Sequence, residues 1–151
     1  MYLISACLIG VNCKYNGAAN LDEDLLKLFI EGKAIAVCPE VLGNLSIPRD
    51  PCEIVKADNG SIKVMSKHGK DCTSNFIGGA RKTLEICKSA GVDKAILQSR
   101  SPSCGYGKIY DGTFTGKLTR GNGLTAQLLS EHGIKVYTDE NWREEGEMDY
   151  D

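Results

Sequence analysis

Four short runs set the fold of this chain: Tyr2-Leu-Ile-Ser-Ala-Cys7, Ala34-Ile-Ala-Val-Cys38, Lys94-Ala-Ile-Leu97 and Ile134–Tyr137. Each is too short for a helix and nearly continuous in apolar character, the pattern of strands buried on both faces of a parallel sheet. Helical periodicity fills the gaps between them. Leu21, Leu25, Leu28 and Phe29 repeat at helical spacing after a capping-box arrangement of Asn20 and Glu23, and Gly32 ends that helix. A long helix is predicted from about Thr73 to Ala90, with Phe76, Ala80, Leu84 and Cys87 on one stripe and Gly91 as its stop. A third is predicted from an Asn122 cap to His132, with Leu124, Leu128 and Leu129 inward. Ile54–Met65 reads as a hairpin around Asp58-Asn59-Gly60, while Val41–Pro51 and the Gly- and Ser-rich stretch after Leu97 read as loop. The order implies an α/β fold: a mainly parallel sheet of about four strands, flanked by helices, with a small hairpin insertion.

With 151 residues, the chain fits a single domain, residues 1–151. The net charge of −2 argues against a basic nucleic-acid binder, so DNA is not an expected partner. Residues 139–151 hold seven of the 20 acids and one of the 18 bases, and are expected to be a solvated acidic tail on a faintly basic body. The apolar Met1–Val11 stretch lacks a basic flank and is too short to span a bilayer, which needs ~20 apolar residues. A cytoplasmic protein without a membrane partner is the expectation. In such reducing surroundings seven cysteines point to metal binding or catalysis before disulfides.

Ligands of open parallel sheets gather outside the carboxyl ends of the strands. Cys7 closes the first strand and Cys38 the second, and Cys104 lies in the loop leaving the third, so three distant thiols are expected along one rim. There is no C-x-x-C pair, which removes zinc-ribbon and bacterial ferredoxin spacings. Three ligands without an obvious fourth leave a coordination position open. Cys13 is either that fourth ligand or a nearby spare thiol, and the spare is preferred because its loop would have to fold back to reach the rim. Cys87 belongs to the core by its place on the helical stripe, and Cys52 and Cys72 have no chemical context to recommend them. A cysteine nucleophile would need a base, and both histidines, His68 and His132, fall away from the expected rim. Near it stand Glu40, a candidate general base or acid, and Ser101 and Ser103, donors to sulfur or substrate or else turn formers. Arg49 either binds a carbonyl or phosphate or pairs with Asp50.

Ser5-Ala-Cys-Leu-Ile-Gly10, Asn12-Cys-Lys-Tyr-Asn-Gly17, Val37-Cys-Pro-Glu-Val41 and Arg100-Ser-Pro-Ser-Cys-Gly105 together resemble the TudS-like thiouracil desulfidase family. Ile109-Tyr-Asp-Gly-Thr-Phe114 and Gly121-Asn-Gly-Leu-Thr-Ala126 fit the same pattern, and the likeness runs from Leu3 to about Tyr137. The resemblance implies a 4Fe–4S cluster on Cys7, Cys38 and Cys104 with one iron not bound by protein. It also implies catalytic roles for Glu40 and Ser101; Ser103 and Arg49 are candidate substrate contacts. Lys14 and Asn16 stand where relatives usually have Arg and Asp, Cys52 where a small residue is usual, and Gln98-Ser99 where a basic–acidic pair is usual. Longer relatives with an added C-terminal domain look like desulfidases of thiolated tRNA. This chain ends at Asp151, so a free thiolated base or nucleoside is the expected substrate. The expected activity is non-redox hydrolysis of a carbon–sulfur double bond with release of sulfide. The rival is a non-catalytic structural metal or cluster module, or a redox-thiol protein, with Cys13 closing the site.

Overall fold

A computed structural model describes residues 1–145. Its centre is a parallel four-stranded sheet in the order β2-β1-β5-β8, formed by β1 (Tyr2–Ser5), β2 (Ala34–Val37), β5 (Lys94–Leu97) and β8 (Lys135–Thr138). Strand alternation divides the core. Tyr2, Ile4 and Ile96 face one side with Leu25 and Leu28 of α1 (Glu23–Ile30). Leu3, Ala95 and Leu97 face the other with Leu84 and Cys87 of α3 (Thr73–Ala90) and Ala126 and Leu129 of α4 (Leu124–Glu131). Two antiparallel hairpins, β3 (Cys52–Lys56) with β4 (Ile62–Ser66) and β6 (Tyr106–Tyr110) with β7 (Leu118–Asn122), share a satellite core of Ile54, Val64, Phe76 and Ile109. No helix among the described residues is long and apolar enough to cross a membrane.

The α/β architecture and the first hairpin agree with the sequence reading; several local features differ. The first strand stops at Ser5, and Cys7 sits in a 3-10 turn, Ala6–Ile9. The cap of α1 is Asp22, whose carboxylate accepts from the N–H groups of Asp24 and Leu25, because the Asp22 N–H is already bonded to the Leu8 carbonyl. Asn20 is drawn instead to Gln98, donating to Oε1 at 2.8 Å. Strand β2 is an edge, so only Ala34 of it is buried. A short helix, α2 (Pro39–Leu42), runs into the start of the stretch assigned to loop, Val41–Pro51, and β6 and β7 emerge from the Gly- and Ser-rich segment. Helix α4 is capped by Gly123, since Asn122 completes β7.

The acidic end also differs from expectation. Its first part folds back as α5 (Trp142–Glu145), and Trp142 is fully buried beside Leu25 and Leu28. Arg143 stacks on the Trp142 ring at 4.5 Å and bonds Asp22 and Asp24, each at 2.7 Å. The remainder of the expected tail, 146–151, lies outside the described residues.

Helix α2 is held unusually close to α3. A Cβ added at Gly79 would stand 2.0 Å from the Pro39 carbonyl oxygen, and one at Gly43 would stand 2.1 Å from that of Asn75. Only glycine allows this backbone-to-backbone approach, which fixes the residues at the start of α2 over the sheet's carboxyl edge.

Candidate active site

The strand order places a topological switch between β1 and β5: the chain leaves β1 toward β2 on one side, and β5 lies on the other. Loops diverge at such a point and leave a crevice at the carboxyl ends. Ser5, the last residue of β1, accepts a hydrogen bond from the Gln98 N–H at 2.9 Å and donates to Cys104 Sγ at 3.5 Å, tying three segments at the crevice floor. Cys7 follows on the 3-10 turn, with its thiol donating to Gln98 Oε1 at 3.4 Å. Cys38 is the residue that caps α2, and Pro39 occupies the first helical position, where a missing N–H costs nothing.

The Cys104 loop is built as a closed turn. Ser101 Oγ accepts from the Cys104 N–H at 2.7 Å, and the Ser101 carbonyl accepts from the Gly105 N–H at 2.9 Å. The carbonyls of Pro102, Ser103 and Gly105 then accept the otherwise orphaned N–H groups at the start of α4. A helix and a turn thus satisfy each other, and Cys104 is fixed between them.

These loops enclose a cavity of about 440 Å³, within the range of small-molecule sites. Cys7, Cys13, Cys38 and Cys104 all line it, together with Glu40 and Arg49. All four thiols are free. Cys13 does fold back to the rim, which the sequence reading had counted against it: it lines the cavity, and its carbonyl accepts from Cys38 Sγ at 3.7 Å and from Arg49 Nη2 at 2.9 Å. The neighbouring Cys38 thiol lowers its pKa, but the Cys7 thiol and burial outweigh this and push it up to about 11. Cys38 is raised by the bond to Cys13 and then by burial. Burial carries Cys104 up to about 12, opposed by the Ser5 hydroxyl and reinforced by nearby Glu40 and Cys38. Crowded thiols raise one another in this way until a cationic centre draws off their protons.

Glu40 Oε1 accepts from Arg49 Nε at 3.3 Å, in a pair whose side chains are 18% and 6% exposed. Burial raises the carboxyl above its ordinary range, and the Arg49 charge offsets part of that rise. Arg49 spends its other nitrogens on the Ser46 and Cys13 carbonyls, so it braces the wall and pairs with Glu40, not with Asp50. Asp50 contacts His68 at 3.3 Å instead. Ser101 lines the cavity. Ser103 does not: its hydroxyl bonds Thr125 at 2.9 Å and lies 3.8 Å from Cys104 Sγ, behind the sulfur. His132 bonds the Leu128 carbonyl at the end of α4, and neither histidine lines the cavity. Cys52, Gln98 and Ser99, where the chain departs from its relatives, all line it, as do Ser5, Glu53, Tyr110 and Phe114, to which sequence reasoning assigned no role. The detectable signal for Ser5 was a polar residue set at the carboxyl end of an otherwise apolar strand.

Among the described residues no three His, Cys, Asp or Glu side chains converge tightly enough for a single metal ion. Soft thiols spread around a cavity fit a polynuclear iron–sulfur core, which holds its thiolates farther apart. Comparison with known proteins agrees with that donor set. A family model described as 2-thiouracil desulfurase matches residues 2–141. The chain is 43% identical over 144 residues to the uncharacterized protein YbbK of Bacillus subtilis (strain 168), covering 92% of this chain and 95% of YbbK. It is also similar to a solved structure described as the [4Fe-4S]-dependent thiouracil desulfidase TudS, with 39% identity and a TM-score of 0.86 over 95% of this chain and 93% of that one. Since sequence and fold match over nearly the whole length, the chain belongs to the 2-thiouracil desulfurase family.

Proposed function

We propose that this chain converts a thiolated pyrimidine, 2-thiouracil or a close analogue, to its oxo form with release of sulfide, using a [4Fe-4S] cluster held by Cys7, Cys38 and Cys104. The convergence of these three strand-end thiols on one cavity with Glu40 carries the reading. When bound, a cluster with one iron left free by the protein supplies a thiophilic, Lewis-acidic seat for the substrate's sulfur. The chain's own residues do the rest. Glu40 takes a proton from water aimed at the thiocarbonyl carbon, and Arg49 holds the carboxylate in place and balances its charge. Ser101 accepts from the Cys104 N–H and retains its own hydroxyl proton for donation toward the bound ring or departing sulfur. Water adds to the carbon, the carbon–sulfur bond breaks, and sulfur leaves as hydrosulfide; no electrons are gained or lost. A free base or nucleoside suits a cavity of about 440 Å³ better than a tRNA does.

The test is anaerobic preparation with iron and sulfide quantified, followed by assay of the same material with 2-thiouracil. Uracil and sulfide formed in equal amounts, with no added reductant or oxidant, are expected. Fully loaded protein that makes neither would overturn the reading. A second reading has support from Cys13, which lines the same cavity and whose carbonyl accepts from Cys38 Sγ at 3.7 Å: a structural centre closed by four cysteines. Cys13→Ser separates the two, since it spares iron content and turnover in the catalytic reading and abolishes iron binding in the structural one.

A further inference from the structure

The motif Ile109-Tyr-Asp-Gly-Thr-Phe114 has no part in the chemistry above, yet the fold directs it at the same cavity. Ile109 is buried in the satellite core, while Tyr110 and Phe114 line the cavity wall. Phe114 is half-buried and belongs to none of the three apolar clusters, so core packing does not account for its ring. Its backbone is left-handed, with φ of 57°, a conformation that disfavours any L side chain other than Asn or Asp. Something must hold it there.

The restraint is Glu53 of β3. This carboxylate is 8% exposed, and its Oε1 accepts from the N–H groups of Gly112 at 2.9 Å and Phe114 at 3.2 Å. A carboxylate buried to bind two amides of one turn is costly unless the position of that turn matters. Asp111 stiffens the same turn, accepting from the Thr113 N–H at 3.0 Å and hydroxyl at 2.5 Å. The turn also lies directly on β3: a Cβ at Gly112 would stand 2.7 Å from the Ile54 carbonyl oxygen.

Building on the proposed function, we infer that Phe114 supplies the aromatic face against which the thiolated pyrimidine ring stacks, and that Glu53 is the positioning residue that holds this face to the cavity. A planar, polarised heterocycle gains from a π surface whichever atoms its edge presents, so the contact selects for the ring and leaves the sulfur to the thiol side of the cavity.

The test compares cluster-loaded wild type with Phe114→Leu, Phe114→Tyr, Glu53→Ala and Glu53→Gln, each with iron content measured beside KM and kcat for 2-thiouracil and the dissociation constant for uracil. Phe114→Leu is expected to raise KM and the uracil constant roughly tenfold, the scale of one lost base–aromatic stack, with kcat changed less than about twofold. Phe114→Tyr restores both. Glu53→Ala raises KM in the same way, and Glu53→Gln, which keeps an oxygen acceptor, recovers most of the loss. Wild-type KM in Phe114→Leu, or a fall in kcat with KM unchanged, would overturn the inference. If Phe114→Leu loses its iron, Phe114→Met, which fills the space without a π face, gives the same comparison. Failure of the wild type to form uracil would instead overturn the functional reading itself.

Discussion

Glu40 and Arg49 face each other at 3.3 Å in the wall of a cavity that five thiols line, and this pairing keeps one carboxylate largely buried and oriented, as the proposed role of a general base requires. A positioned base of this kind contributes typically about 10²–10⁴ in rate. Glu40→Gln keeps shape and leaves the cysteines alone, so iron content should match wild type while turnover falls by roughly a hundredfold or more. Retained turnover would remove Glu40 from the chemistry. Cys87 makes a different demand. It is fully buried in the core, where burial pushes its thiol up to about 11 from an ordinary value of 9. On unfolding the thiol loses its proton at the lower pH, so its contribution to stability is complete below pH 9 and is lost as pH rises toward 11. Urea midpoints of the iron-free protein at pH 8 and pH 10.5 should therefore differ less in Cys87→Ala than in wild type.

The close contact between α2 and α3 is the element-scale feature that places Cys38 and Glu40. With a Cβ at position 79 only 2.0 Å from the Pro39 oxygen, Gly79→Ala must push α2 off α3. A cost of about 1–3 kcal/mol and a lower iron content after anaerobic loading are expected, read by thermal unfolding and metal analysis. Unchanged iron content would mean that α2 does not set the site. This contact was invisible in the sequence, where Gly79 is one small residue within a predicted helix, off its apolar stripe. Strands β1, β2 and β5 were legible as apolar runs, but of these three only β5 ends where the sequence indicates, at Leu97; β1 and β2 stop at Ser5 and Val37, short of the ends read at Cys7 and Cys38. Strands β6 and β7 were not legible: Gly107 and Gly121 interrupt them, and of their residues only Ile109 is buried, so no alternation marks them. Cys13 was read as a spare because its loop would have to fold back to reach the rim; the loop does fold back, with Arg49, 36 positions away, bonding the Cys13 carbonyl. Long-range bonds of this kind leave no periodic trace.

At the scale of the molecule, the switch between β1 and β5 creates the crevice, and the layers on either side of the sheet make it rigid. One layer is completed from the far end of the chain, where Trp142 fills the space over Leu25 and Leu28. Charge concealed this, since the chain's one tryptophan, set among acids, reads as tail. Trp142→Ala should cost about 3–5 kcal/mol in urea unfolding, the range for a fully buried large aromatic, whereas a solvated tail would show almost no change. The proposed function rests on one claim, that Cys7, Cys38 and Cys104 hold the cluster and leave one iron free. Iron and sulfide content of the single serine variants of Cys7, Cys13, Cys38 and Cys104, prepared and loaded without oxygen, tests it most directly. The account predicts four irons per chain in wild type and Cys13→Ser and a near-complete loss in the other three; a fully loaded variant of Cys7, Cys38 or Cys104, or an empty Cys13→Ser, would contradict it.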